Sequence, residues 1–240
     1  MSVLNYFNVY DIGYKIRLGN KSDGGYVIAD NIGDYDVYLS AGIGEDESFS
    51  NDFLKKYKVL NNGAFQFDIN RLPHNFPKNL IFYKKNISDI SDDKNANLKF
   101  FINNYNNIFL KMDIEGCEFL WFNSLTIEDL KKFKQLVVEF HGINDDSFGY
   151  SHQIKLDVFN KLSQTHYLIH AHGNNFCIPL TSNIDGKNVP NIIELTYVRK
   201  DIIPIPNLNK IRLPNPHGLD FPCNTNAEDI NLNFIPFVYP

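Results

Sequence analysis

Cysteine is scarce in this chain of 240 residues: Cys117, Cys177 and Cys223, with no Cys-x-x-Cys spacing. An odd, scattered set argues against both a disulfide framework and a zinc ribbon, and fits reduced thiols in a cytoplasmic protein. Positive charge is not in excess. Lys and Arg number 23 against 28 Asp and Glu, a formal net charge of −5, so no nucleic-acid partner is expected of a surface that does not attract polyanions. Long apolar runs are missing too: nothing approaches the roughly 18 residues that cross a bilayer, and no membrane span is expected. Met1–Phe7 has neither the basic n-region nor the apolar h-region of a signal peptide, so the expected compartment is the cytoplasm. Repeats at solenoid periods are absent. What the chain does have is core material, 43% hydrophobic and 14% aromatic residues, which excludes wholesale disorder.

Residues 22–28 read as a turn, Ser22-Asp23-Gly24-Gly25, followed by a short strand, a hairpin signal. Tyr35–Ala41 is an apolar strand that stops at Gly42-Ile43-Gly44, and Phe49, Phe53, Leu54 and Tyr57 then recur at helical spacing. The alternation continues. Residues 63–69, 79–83, 107–114, 135–140, 167–171 and 192–199 read as strands; residues 92–104, 125–133 and 156–162 read as helical. Near-continuous apolar strands separated by helices predict an α/β fold with a mostly parallel sheet covered on both faces. Beyond about residue 200 the periodicity ends, and seven of the 11 prolines fall in residues 201–240. Its apolar residues Phe221, Phe234, Ile235, Phe237 and Tyr239 predict a wrap or lid that is docked.

In such a sheet, ligands bind beyond the carboxyl ends of the strands. Those ends carry Gly42 and Gly44, then Asp68, then Asp113 and Glu115, then Glu139 and His141, then His170, His172, Asn174 and Asn175. Glycines at 42 and 44 let a ligand approach the backbone of the turn through Ile43. Asp68, 24 residues beyond Gly44, stands where a carboxylate accepts from ribose hydroxyls. A third glycine is missing, and Glu45, Asp46 and Glu47 occupy the turn instead. Three carboxylates would repel a pyrophosphate. A cationic nucleoside without phosphates, such as S-adenosyl-L-methionine, suits the turn better.

The segments Asp23-Gly24-Gly25-Tyr26-Val27, Ser40-Ala41-Gly42-Ile43-Gly44, Lys111-Met112-Asp113-Ile114-Glu115-Gly116-Cys117-Glu118, Val138-Glu139-Phe140-His141 and His170-Ala171-His172-Gly173-Asn174-Asn175 resemble the FkbM-like S-adenosylmethionine-dependent methyltransferases, over roughly residues 15–200. A weaker echo lies at Leu219-Asp220-Phe221-Pro222. The resemblance implies a class I methyltransferase (Rossmann-like) fold, a seven-stranded sheet of order 3-2-1-4-5-7-6 with the seventh strand antiparallel. Residues 1–200 would form that domain and 201–240 the wrap. It also implies O-methylation, of a sugar or activated-sugar hydroxyl in polysaccharide, capsule or natural-product synthesis, with a small phosphorylated or phosphoramidate capsule metabolite as the alternative acceptor.

Methyl transfer to a hydroxyl needs in-line alignment and a base. His141 is the expected base, with His172 second; Asp113 or Glu139 would orient the imidazole. Period-2 spacing puts Asp113 and Glu115 on one side and Glu139 and His141 on another, with Glu115 capping the next helix or gripping the acceptor. Gly42, Ile43, Gly44, Asp68 and Asp113 are the expected cofactor residues, and Tyr26, Asn174 and Asn175 the expected substrate contacts. A divalent metal on Asp113, Glu139, His141 and the Asp145-Asp146 pair is the rival use of these groups and is not expected. His170 is read as a local hydrogen-bonder, and Trp121 and Phe122 as core. Two other classes compete: a nicotinamide-dependent oxidoreductase using the same turn, and a non-catalytic sugar-binding protein on a methyltransferase frame.

Overall fold

The structure, a computed structural model, describes residues 1–44, 46–60, 63–70, 76–144, 148–176, 181–215 and 217–240. Glu45, Asp145, Asp146 and Cys177 lie outside the described residues. Seven strands form the central sheet: β1 (Val37–Ala41), β2 (Ala64–Asp68), β3 (Ile81–Lys84), β4 (Ile108–Met112), β5 (Phe133–His141), β6 (His166–Gly173) and β7 (Ile192–Arg199). Their spatial order is 3-2-1-4-5-7-6. The pairs from β3 through β5 are parallel, and β7 runs antiparallel between β5 and β6. This is a mixed α/β architecture compatible with a Rossmann-like frame.

Alternation along the strands sorts side chains to two faces. Leu39, Leu110, Leu136, Val138 and Phe140 point to one. There they meet Phe101 of α2 (Lys99–Asn104), Phe119 and Phe122 of α3 (Glu118–Ser124), Leu130 of α4 (Ile127–Leu130) and Phe159 of α5 (His152–Thr165). Trp121 and Phe122 are fully buried, as expected of core. Tyr38, Phe109 and Val137 point the other way and, among the described residues, meet one helix, α1 (Ser48–Lys56), through Phe49 and Phe53. A hairpin of Lys15–Leu18 and Tyr26–Ala29 completes that face with Leu18, Tyr26 and Ile28. Buried hydrogen bonds fix the hairpin: Ala29 N–H donates to Gln135 Oε1 at 2.6 Å, and Thr196 Oγ1 to the Val27 carbonyl at 2.6 Å. Through them, β5 and β7 set where Asp23 and Tyr26 stand.

Two helices are shorter than their sequence suggests. Within 92–104 only α2 is helical, because the Asp92 carboxylate accepts from the backbone N–H groups of Lys94 and Asn95 and closes a turn that competes with helix. Within 125–133 a single turn forms, opened by a capping box between Thr126 and Asp129, before Phe133 enters β5. The wrap is docked as expected: Leu213, Ile230, Leu232 and Phe237 join the main core. Phe237 packs 5.8 Å from Phe7, a burial that contributes about 2 kcal/mol. Ile235, by contrast, is 52% exposed. Among the described residues, no helix is long and apolar enough to cross a membrane.

Candidate active site

A cavity of about 270 Å³ opens at the carboxyl ends of β1, β2 and β4. Gly42, Ile43, Gly44, Asp68, Asp113 and Glu115 line it, together with Asp23, Asp46, Glu47, Lys85 and Lys111. Of the residues expected to hold cofactor, all five are here. The two glycines, however, serve different ends. At Gly42 (φ +78°) a Cβ would stand 1.4 Å from the Asp113 carbonyl oxygen, so this glycine exists for the protein's own backbone. At Gly44 (φ +54°) a Cβ would meet nothing within 4 Å, so this is the glycine that leaves room for a ligand.

Asp68 ends β2 and braces the turn: its Oδ2 accepts from Ile43 N–H at 2.6 Å and its Oδ1 from Asn70 N–H at 2.6 Å. Each oxygen keeps a lone pair for a further donor. Glu47, unremarked in the sequence beyond its charge, is buried in the cavity wall, and its Oε1 has no partner among the described residues. Burial pushes its carboxyl up to about 7.

Behind the cavity the strand register builds an acidic row across the sheet. Glu139 of β5 is paired with Glu194 of β7, and Glu194 with His172 of β6. Asp113 follows β4 beside Glu139; one atom each of Asp113, Glu139 and His141 lies within 4.8 Å of the others. Tyr26 Oη donates to Asp113 Oδ2 at 3.0 Å, Lys111 Nζ stands 3.7 Å from that oxygen, and Asn174 Nδ2 donates to Glu139 Oε1 at 2.6 Å. Asp113 Oδ1 has no partner among the described residues. Burial alone would raise Asp113, but Lys111, then His141, Glu139 and Tyr26, hold it below the usual carboxylate range. Glu139 is driven the opposite way, by burial first and then by the charges on Asp113 and Glu194. The two carboxyls of the pair are driven in opposite directions.

His141, the expected base, stands between two carboxylates. It is buried, with Nδ1 3.0 Å from Glu118 Oε1 and Nε2 3.4 Å from Glu115 Oε2. Against the burial that alone would lower it, these two carboxylates hold the imidazole up at about 11. An imidazolium at neutral pH has no lone pair for a proton. His172 is likewise buried outside the cavity lining, between Glu194 and Asp229, and is held charged by them against burial.

The remaining expectations divide. Glu115 breaks the strand alternation with φ +58° and points outward, its side chain 86% exposed, touching His141 rather than capping α3. Tyr26 and Asn174 act on Asp113 and Glu139 from outside the cavity lining. Asn175 clasps the wrap instead: its Nδ2 donates to the carbonyls of Asn224, Ala227 and Glu228, and its Oδ1 accepts from Asn224 N–H. His170 is a hydrogen-bonder, 2.7 Å from Asp220 Oδ1. Lys111, Glu118 and Glu194 were not foreseen. Glu194 could have been: on a strand running antiparallel, the residues at its start, not its end, reach the ligand edge. In comparisons with known proteins, no family model and no curated protein matches the chain.

Proposed function

We propose that the protein is an S-adenosylmethionine-dependent O-methyltransferase acting on a carbohydrate-type hydroxyl. The observation that carries this reading is the charge of the cavity beside Gly44. Asp23, Asp46, Glu47, Asp68, Asp113 and Glu115 face two lysines there, Lys85 and Lys111. Lys111 is also committed, donating from Nζ to the Gly42 carbonyl at 2.7 Å. Such a cavity favours a cation and disfavours a diphosphate. The residues fit the group: Gly44 leaves space, Glu47 has an orphaned oxygen, and Asp68 keeps acceptor capacity for ribose hydroxyls.

When bound, S-adenosylmethionine supplies an electrophilic methyl group on a sulfonium. Asp113 would take the acceptor's hydroxyl proton as the new C–O bond replaces the methyl group's C–S bond and the neutral thioether leaves. Lys111 and His141 keep Asp113 ionised, Tyr26 fixes its orientation, and Glu139 holds the neighbouring proton under the hydrogen bond from Asn174. In this scheme His141 is a fixed cation and a positioning residue. Incubation with methyl-labelled S-adenosylmethionine and a panel of sugars, nucleotide sugars and phosphorylated sugars tests the reading. Label in an alkali-stable ether is expected; donor bound but never transferred would favour a non-catalytic binding protein.

Two substitutions report on the donor pocket. Asp68→Asn is expected to weaken S-adenosylhomocysteine binding roughly ten- to hundredfold, the loss of a charge-assisted hydrogen bond, and to lower the melting temperature, because the amide nitrogen would face one of the two backbone N–H groups that Asp68 accepts from. Equal calorimetric heats for both proteins would remove Asp68 from the donor site. Glu47 gives a pH signature. Its carboxyl titrates at about 7 in the free protein, and a cationic ligand favours the ionised form. Binding of S-adenosylmethionine below pH 7 should therefore release a proton. Affinity should rise about tenfold from pH 6 to pH 8, following the ionised fraction. Calorimetry in buffers of different ionisation heat measures both, and Glu47→Gln should abolish both.

A further inference from the structure

At the far end of the acidic row a second constellation stands outside the cavity lining. His172 of β6, Glu194 of β7 and Cys223 of the wrap are all buried and bring one nitrogen, one oxygen and one sulfur within 4.8 Å of one another. His172 Nδ1 lies 3.1 Å from Glu194 Oε2, and Cys223 Sγ lies 3.5 Å from Glu194 Oε1. Ligands held at about 2.0–2.3 Å on a tetrahedral ion are spaced about 3.3–3.6 Å apart, close to both values. On the other side of the ring, Nε2 lies 3.1 Å from both oxygens of Asp229. A carboxylate that accepts from one imidazole nitrogen leaves the other as a lone-pair donor, the arrangement that orients metal-binding histidines.

Among the described residues, the other buried histidines lack this convergence. His170 pairs through Nε2 with Asp220 alone, its buried Nδ1 having no partner among the described residues, and His166 is satisfied by Thr165 and the Phe133 carbonyl. The Asp113, Glu139 and His141 group has no sulfur. Without an ion, the arrangement at Cys223 is poor. A thiol is a weak donor, yet among the described residues it is the sole partner of Glu194 Oε1, a buried carboxylate oxygen.

We propose that His172, Glu194 and Cys223 bind one zinc ion, that Asp229 orients the imidazole, and that the ion pins the C-terminal wrap to β6 and β7. The mixed nitrogen, oxygen and sulfur donor set selects a borderline-soft ion such as zinc over magnesium or calcium. Binding releases the thiol proton of Cys223, and the Nδ1 proton of a charged His172, to solvent. Three protein ligands leave the fourth position to water or to the second Glu194 oxygen. Nothing in this depends on what fills the cavity beside Gly44.

The test is metal stoichiometry of the full chain, by elemental analysis and by titration with zinc and with cobalt. One equivalent is expected, with a thiolate-to-cobalt charge-transfer band in the near ultraviolet. Cys223→Ser, a near-isosteric change, should remove that band. Asp229→Asn should keep the stoichiometry with affinity weakened 10–100-fold, and His141→Gln should bind as the wild type does. Circular dichroism checks that each variant is folded. Folded wild-type protein that takes up no zinc, a cobalt adduct with no thiolate band, a band that survives Cys223→Ser, or zinc lost from His141→Gln would each overturn the proposal.

Discussion

Asp113→Asn is expected to slow methyl transfer by about 10²–10⁴-fold, the usual worth of a general base, while S-adenosylhomocysteine still binds. The carboxylate belongs to the cavity lining, its side chain 21% exposed, with Oδ2 fixed by Tyr26 and Oδ1 buried without a partner among the described residues. His141→Gln separates the two candidate bases. If Asp113 is the base, removing the His141 cation leaves the enzyme active. It also raises the Asp113 pKa, because the cation is one of the charges that hold it down. A base must be ionised, so activity rises with pH through that pKa, and the acid limb of the pH–rate profile should move to higher pH. If His141→Gln instead matches Asp113→Asn in rate loss, with no displaced limb, then the imidazole takes the proton and the assignment is wrong.

The largest effect on stability should come from Gly42→Ala. The new Cβ would fall 1.4 Å from the Asp113 carbonyl oxygen, on backbone at φ +78°. Both partners are backbone, and Asp113 N–H is itself tied to the Ala41 carbonyl at 2.9 Å, so neither can yield without breaking the β1–β4 edge. A loss of at least about 3 kcal/mol is expected, read as a collapsed melting temperature or insoluble protein. Gly44→Ala is the control. Its left-handed backbone costs about 1–2 kcal/mol but its Cβ meets open space, so the protein should fold and lose donor affinity instead. Equal stability of the two variants would contradict the division of labour between the glycines.

Much of this site was legible where an apolar strand stops at a polar residue. Gly42, Asp68, Asp113, Glu139 and His141 announced themselves that way, because charge inside a strand buried on both faces is costly and collects toward its end. The roles were less legible than the positions. Nothing in the spacing of His141 says that Glu118, the first residue of α3, will reach its Nδ1 and raise its pKa. Lys111 and Glu194 lie inside apolar runs, and only the packing of Tyr26 and the direction of β7 bring them to the ligand edge. Asp220, Cys223 and Asp229 come from a tail without periodicity, so no pattern could assign them partners. The misread 92–104 helix has a local cause, the Asp92 turn, which composition alone does not separate from a helix cap.

Calorimetric titration of the same protein sample with S-adenosylmethionine and with NAD tests the central claim most directly: that the acidic turn at Gly42–Gly44 selects a cationic nucleoside over a dinucleotide. The account predicts saturable one-to-one binding of S-adenosylmethionine that is lost in Asp68→Ala, and no heat with NAD. Saturable NAD binding, with S-adenosylmethionine inert, would contradict it.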